Sequence, residues 1–495
     1  MPTYRFLHRP SVQAWFDEFY ATLGIMHDIQ NAPAKIAVLF MVFSIGSVYM
    51  PDNDRPGPLD LSAQYFLAAE HQLRKEKGSI RLTSVQARLA QCCYLLTQSR
   101  INHCWSLFGT VSHLALAIGL NRNRYQQDLS RGLGRIEVEC RRRTFWCAYT
   151  LDAYLSAALG RPRSFHDDDI DAELPACVDD AYLTNDLMIT PVAVSKGPST
   201  MLAPLGHMKI ARIISHILRD LYSVKPVSAE QRLAAMKSIS SDLGDWRAEF
   251  SRFLDVDLFS ASLLVSIFQR QRNVLNLTYW HAIILTHRSF VLSNFAGLLR
   301  QNDSSVKNNQ HVKDSVEKCI DAATKTVNTI EDMAQQNQLF RSLWITSYFA
   351  FNASIILYIY AIQHRDCPPE EYADQFEAAE RCQRHISAIA EKGSLSERYW
   401  LVLEELRVEV LHQTGRNNQI SSGSDNGDAS VGVDEHGSAA MYSDLAASGT
   451  VGGPDATVHD FPISDYSGWG NFTSMVSSGL SNLDVLLGDD FSLPG

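Results

Sequence analysis

Apolar positions along most of this chain recur at three- and four-residue steps, the spacing that lines one face of an α-helix. Between residues 84 and 120, Val85, Leu89, Cys92 and Leu96 form one stripe, and Trp105, Phe108, Ser112, Ala115 and Ile118 form the next. The break at residues 99–102 predicts a helical hairpin, with Gly119 as the C-cap of its second helix. Residues 184–204 hold three prolines and no sustained periodicity, so they read as a loop or internal linker. Beyond it, helices are predicted over 208–222, 229–250, 262–298, 312–335, 343–362, 369–391 and 396–412. Period-two alternation is scarce and no fixed repeat is visible. The pattern predicts an all-α fold: a large helical array over residues 1–415, divisible into sub-bundles 1–183 and 205–415.

One predicted helix invites a different reading. Residues 343–362 run for twenty positions without a charge, long enough to span a bilayer. Thr346, Ser347, Asn352 and Ser354 are spaced along it, and no partner span accompanies it. A helix buried on all sides of an α-helical core is therefore expected, and no membrane.

The pattern ends after Gly415. Residues 416–495 contain 12 of the chain's 27 glycines and eleven acidic residues against one basic, so the net charge of −11 falls almost wholly here. Such a composition buries too little apolar surface to offset the entropy of ordering, and a disordered acidic tail is expected. Within residues 480–493, Leu483, Leu486, Leu487 and Phe491 are interspersed with Asp484, Asp489 and Asp490. Acids that keep leucines and an aromatic in solution, free to dock in a partner's groove, are the pattern of an activation segment. The remaining body is near neutral, which argues against a broad phosphate-binding surface.

Candidate chemistry is sparse. The nine cysteines are odd in number and form no CxxC, and Met1 is followed by PTYRFLHRP rather than an apolar leader. Reduced, buried thiols in a cytosolic or nuclear protein are expected. Asp167, Asp168 and Asp171 spell DDxxD, the magnesium-diphosphate motif of helical prenyl synthases. They lie between Pro162 and Pro175 without helical periodicity, and the second acidic motif such enzymes need is absent, so a solvated loop capping the next helix is expected. GxSxG, GxxxxGK(S/T), GxGxxG after a strand and HExxH are missing, and the histidines are scattered. No enzyme is expected.

The segment 141–175 carries the most information. Phe145, Ala148, Leu151 or Asp152, Leu155 and Leu159 share a helical face, which Trp146, Tyr149 and Ala153 widen. Gly160 can take the left-handed conformation that ends a helix, and Pro162 prevents its continuation. Arg161 is expected to reach the last carbonyls of that helix or to pair with Asp152. On this reading the block is a scaffold.

Its order also resembles the signature of the fungal transcription-factor regulatory domain, the middle homology region that follows a zinc-cluster DNA-binding domain. Glu139, Arg141, Arg142, Arg143, Phe145, Trp146, Asp152, Gly160, Arg161, Pro162 and Pro175 match its most recognisable block. Phe6 to Pro10 with Val12 and Trp15 is similar to its entry motif. Trp105, Leu107, Phe108, Gly109 and the run from Ile118 to Arg122 resemble a second motif, and Leu285, His287, Arg288 and Phe290 a third. The resemblance covers roughly residues 4–415.

What it implies is regulation of transcription in a fungal nucleus, of metabolic or secondary-metabolite gene clusters. The helical body would sense a signal or repress activation, and the tail would recruit transcription machinery or a coactivator. The zinc cluster is absent from this sequence, so no cofactor is expected in it, and zinc only if an N-terminal cluster precedes it. DNA contact is then expected through a partner or through such a domain. A homodimer stays open. The rival reading is a helical enzyme or small-molecule-binding protein, with Tyr279, Trp280 and Phe290 lining a pocket rather than a core.

Overall fold

A computed structural model describes residues 2–50, 61–76, 80–123, 132–185, 198–223, 225, 227–255, 266–299, 310–340 and 343–415. The tail, with Leu483, Leu486, Leu487 and Phe491, lies outside the described residues, as do residues 186–197 of the central loop. Thirteen α-helices and three 3-10 turns, and no strand, make up the described residues. The helices are α1 Arg9–Ala21, α2 Ala32–Tyr49, α3 Leu61–Leu73, α4 Leu82–Thr97, α5 Ile101–Ala117, α6 Arg135–Leu159 and α7 Leu202–Leu221. They continue as α8 Ala229–Leu254, α9 Ser266–Leu299, α10 Gln310–Gln335, α11 Trp344–Gln363, α12 Ala373–Ala388 and α13 Leu395–Gln413.

Local chemistry explains most boundaries. The hairpin turn falls between α4 and α5, where Ser99 takes a positive φ of 58° and the Arg100 N–H reaches back to Leu95 O at 2.9 Å. α5 ends in a Schellman motif. Gly119 sits at φ 66°, its N–H bonds Leu116 O, and the Leu120 N–H bonds Ala115 O, both at 2.9 Å. Ser394 Oγ caps α13 by accepting from the Glu397 N–H. Two helix starts lie outside the apolar pattern. α6 begins two turns before the basic cluster, at Arg135. α7 begins at Leu202, inside the expected loop, because Pro204 falls in the first turn, where its missing N–H costs no helical bond.

Three helices are buried nearly all round: α4, the second half of α6, and α11. In α11, 89% of its most apolar 18-residue stretch is buried against α9, α10, α12 and α13, so its apolar run serves the core, as its interspersed polar residues predict. Two of those polar groups are bonded inside: Asn352 Nδ2 donates to Tyr348 O at 2.8 Å, and Ser347 meets Ser396 at 3.0 Å. α2 is equally long and apolar, but only 39% of it is buried.

A single apolar cluster runs from Phe6 to Val410 through both halves of the chain. Cross-links reinforce it. Tyr154 Oη donates to Thr278 Oγ1 at 3.2 Å, and Tyr348 Oη to Ala157 O at 3.2 Å. The N-terminal strap is threaded into the same core: Gln271 Nε2 donates to Pro2 O at 2.9 Å and Gln86 Nε2 to Phe6 O at 3.1 Å.

Candidate functional site

The signature block forms the central helix α6 and the loop that folds back over it. Every residue from Arg143 to Leu159 is buried, so the expected face is in fact the whole circumference. Gly160 adopts φ 65° and ends the helix as predicted from its lack of a side chain. Phe165 then drops into the core, packing edge-on to Phe145 at 5.3 Å and Phe108 at 6.1 Å. Beneath it, the buried Asp152 carboxylate accepts the N–H groups of Ser164 at 2.9 Å and Phe165 at 3.0 Å. Burial pushes the Asp152 carboxyl up to about 6, against the pull of those donors.

Arg161, beyond the helix end, reaches across to α5. Asp152 is committed to the loop backbone, and Arg161 donates to Asn102 Oδ1 at 3.0 Å with its guanidinium 4.4 Å from the Trp105 ring centre. At the other end, Arg141 Nη2 donates to Ile118 O at 2.7 Å. Two signature arginines therefore fasten α6 to both ends of α5. Trp146 Nε1 donates to Glu173 O at 2.9 Å, fixing the loop's return. Pro162 is exposed and acts only as the helix stop.

The Asp run is divided among different tasks. Asp167 accepts from Tyr149 Oη at 2.5 Å and Arg163 Nη1 at 3.2 Å, Asp171 accepts from the Asn123 N–H at 2.7 Å, and Asp168 and Asp169 face solvent. The carboxylates do not converge, and among the described residues no group of three His, Cys, Asp or Glu is placed to hold a metal. Nor does the run cap the next helix. That helix, α7, has no side-chain cap; Asp179 instead holds the turn before it, its Oδ1 accepting from Thr200 N at 2.8 Å and from the Ser199 hydroxyl at 3.0 Å.

A charged hub missed by sequence reasoning lies at Asp180. Arg143, fully buried, donates to Asp180 Oδ1 at 2.5 Å, Glu139 Oε1 at 3.1 Å and Val178 O at 3.0 Å. Asp180 Oδ2 also accepts the Arg9 N–H at 3.0 Å, and its carbonyl meets His8 Nε2 at 3.2 Å. Burial pulls the Asp180 carboxyl up, but the Arg9 N–H and the Arg143 guanidinium outweigh it and hold it below the usual carboxylate range. The entry motif and the signature helix, 130 residues apart in the chain, thus meet on one carboxylate. Arg143 lies four residues after Glu139, a local hint of pairing. Nothing local points to Asp180.

The third motif behaves differently. Arg288, buried to 1% exposure, donates to Tyr222 Oη at 2.7 Å and Asn352 Oδ1 at 3.3 Å. Its neighbours His281 and His287 are kept neutral by burial, the latter with its value lowered to about 4. Tyr279 stacks on Trp246 at 5.6 Å, and Lys325 lies 4.8 Å over Trp280, so these two rings make packing contacts between helices. Seven of the nine cysteines are buried, and burial raises the thiols of Cys93, Cys140, Cys319 and Cys382 to about 12, far from reactive thiolates.

Beside the hub opens a cavity of about 640 Å³ between the strap, α1, α2 and α4. Its walls are apolar, with Phe6, Val12, Phe16, Val42, Phe43 and Ile45 among them, and Arg5, Arg9 and Asp180 stand at one side. This is the volume and lining of a small-molecule site. It reaches the hub through Asp180, and it carries no nucleophile–base pair.

Known proteins agree with the sequence motifs. Residues 1–248 match the family described as the fungal specific transcription factor domain. The chain is 26% identical to Activator of stress genes 1 of Saccharomyces cerevisiae over 415 residues, covering 81% of this chain and 41% of that protein. It is 30% identical to Activator of stress genes protein 1 of Candida albicans over 239 residues, 46% of this chain and 24% of that one. Transcriptional activator protein acu-15 of Neurospora crassa is 24% identical over 294 residues, 59% and 30% respectively. The chain therefore spans less than half the length of these relatives. No solved structure matches. The relatives are regulators of transcription and not enzymes, and the match over half of the chain makes it a member of the fungal-specific transcription factor domain family.

Proposed function

We propose that this chain is the regulatory body and activation tail of a nuclear regulator of fungal metabolic or secondary-metabolite genes. The observation that carries the reading is the union of a family-matched helical body with an acidic, leucine-bearing tail. In this reading Leu483, Leu486, Leu487 and Phe491 dock into a coactivator groove, and the neighbouring aspartates keep them accessible. The near-neutral body does not supply the excess of cations that phosphate binding needs. DNA contact comes from a partner or from a zinc-cluster domain outside this sequence. The names of the relatives, among them activators in three fungi, support the class of activity.

The test is a reporter driven by residues 416–495 fused to a heterologous DNA-binding domain. Strong activation is expected, falling at least tenfold when Leu483, Leu486, Leu487 and Phe491 are all changed to Ala. A silent fusion, or one indifferent to those changes, defeats the reading of the tail.

A further inference from the structure

The cleft beside the Asp180 hub has two features that packing of the fold leaves unexplained. The first is α2, apolar along its 18 residues but only 39% buried, against 89% for the comparably apolar 18-residue stretch of α11. Val42, Phe43, Ile45 and Gly46 of α2 form a wall of the 640 Å³ cavity, and Val42 is 38% exposed. An apolar wall facing an open cleft is a cost to the free protein that an apolar occupant would remove.

The second feature is charge. Arg5, half-buried, and Arg9, exposed, line the same cavity, and neither side chain makes an ion pair among the described residues. The acid beside them, Asp180, is already held by the Arg143 guanidinium and the Arg9 N–H. The cleft therefore couples an apolar chamber to two arginines that form no ion pair of their own, one cation more than the Asp180 hub balances. Cys93, also in the wall, is held as a neutral thiol by burial, so capture there is non-covalent.

We propose that this cleft binds a small amphiphilic anion, its apolar body lying between α1 and α2 and its carboxylate set against Arg5 and Arg9. A carboxylate suits the planar guanidinium fork, and the apolar walls select for chain length. Each methylene added to a ligand that still fits should tighten binding about fourfold. As a binding site the cleft stands on this geometry. As an effector site it rests on the reading of the chain as a regulator, and a direct binding measurement separates the two.

The experiment is calorimetric titration of the full chain with decanoate below its micellar concentration, with octanoate, decanol and decylamine as comparators. One decanoate per chain is expected, bound about sixteenfold more tightly than octanoate and more tightly than decanol, with decylamine weakest. Arg5→Gln with Arg9→Gln should weaken decanoate about tenfold and leave decanol unchanged. Gly46→Leu is the occlusion test: a Cβ there meets nothing within 4 Å, so the new side chain enters open space rather than a neighbour. It should abolish binding while the thermal midpoint stays at or above that of the parent. Undiminished decanoate binding by a folded Gly46→Leu variant, equal binding of decylamine, or no binding by the parent would overturn the proposal. None of these results bears on the reporter measurement.

Discussion

At the scale of single residues, burial decides what each polar group is worth. Arg143 is tolerated at zero exposure because three acceptors meet its donors, two of them carboxylates. Removing one partner would leave a buried charge uncompensated. His207 is the opposite case: a buried imidazole hydrogen-bonded to Tyr154 Oη at 2.9 Å and packed edge-on to Tyr4, with desolvation lowering its value to about 3. The unfolded chain binds a proton there near pH 6.5 and the folded one does not, so stability is full above that pH and falls as the pH drops toward 3. At about 1.4 kcal/mol per pH unit the deficit reaches roughly 4 kcal/mol at the acid end. His207→Gln, which keeps a hydrogen-bonding group without the titration, should flatten the decline in urea-measured stability between pH 7 and pH 4. Asp152, raised to about 6, works the other way over part of that window. The difference between the two proteins is therefore the quantity to measure, and parallel curves would refute the assignment.

At the scale of elements, periodicity was a sound guide to existence and a weaker one to ends. α11 was legible because its spaced Thr, Ser and Asn fit a buried helix, and the structure bonds Asn352 and Ser347 within the core. The start of α6 was not legible, since residues 135–142 lack an apolar stripe and the helix there is held by distant partners such as Ile118 O and Glu173. Its end was legible in Gly160. Gly160→Ala places a Cβ in the left-handed region at φ 65° and should cost about 1 kcal/mol. A lowered denaturation midpoint with unchanged slope is expected, and an unchanged midpoint would show that the turn relaxes elsewhere. The loop 161–175 was readable as a loop, but its attachments through Phe165, Asp167 and Glu173 were not, because each contact spans the width of a helix rather than a step along it.

At the scale of the whole molecule, the N-terminal strap binds the two halves together. Pro2 is held by Gln271 of α9 and Phe6 by Gln86 of α4, while Tyr4 packs on His207 of α7. Phe6 is 6% exposed, and Phe6→Ala should cost about 3 kcal/mol by the cavity it leaves. The variant should still unfold in one transition, because a continuous core joins α4, α6, α7 and α11. Loss of the N-terminal half in a separate transition would contradict that continuity.

The sequence alone determined the all-α class, the principal helices, the Gly119 and Gly160 stops, the acidic tail and the family-bearing motifs. All of these depend on neighbours within a few residues, where helical periodicity and backbone sterics act. Tertiary structure alone decided that Asp180 joins the entry motif to Arg143, that Asp152 holds the backbone of the loop, and that α2 and the strap enclose a cleft. Those outcomes depend on groups brought together from distant segments, where desolvation makes each pairing strong and leaves no trace in local spacing.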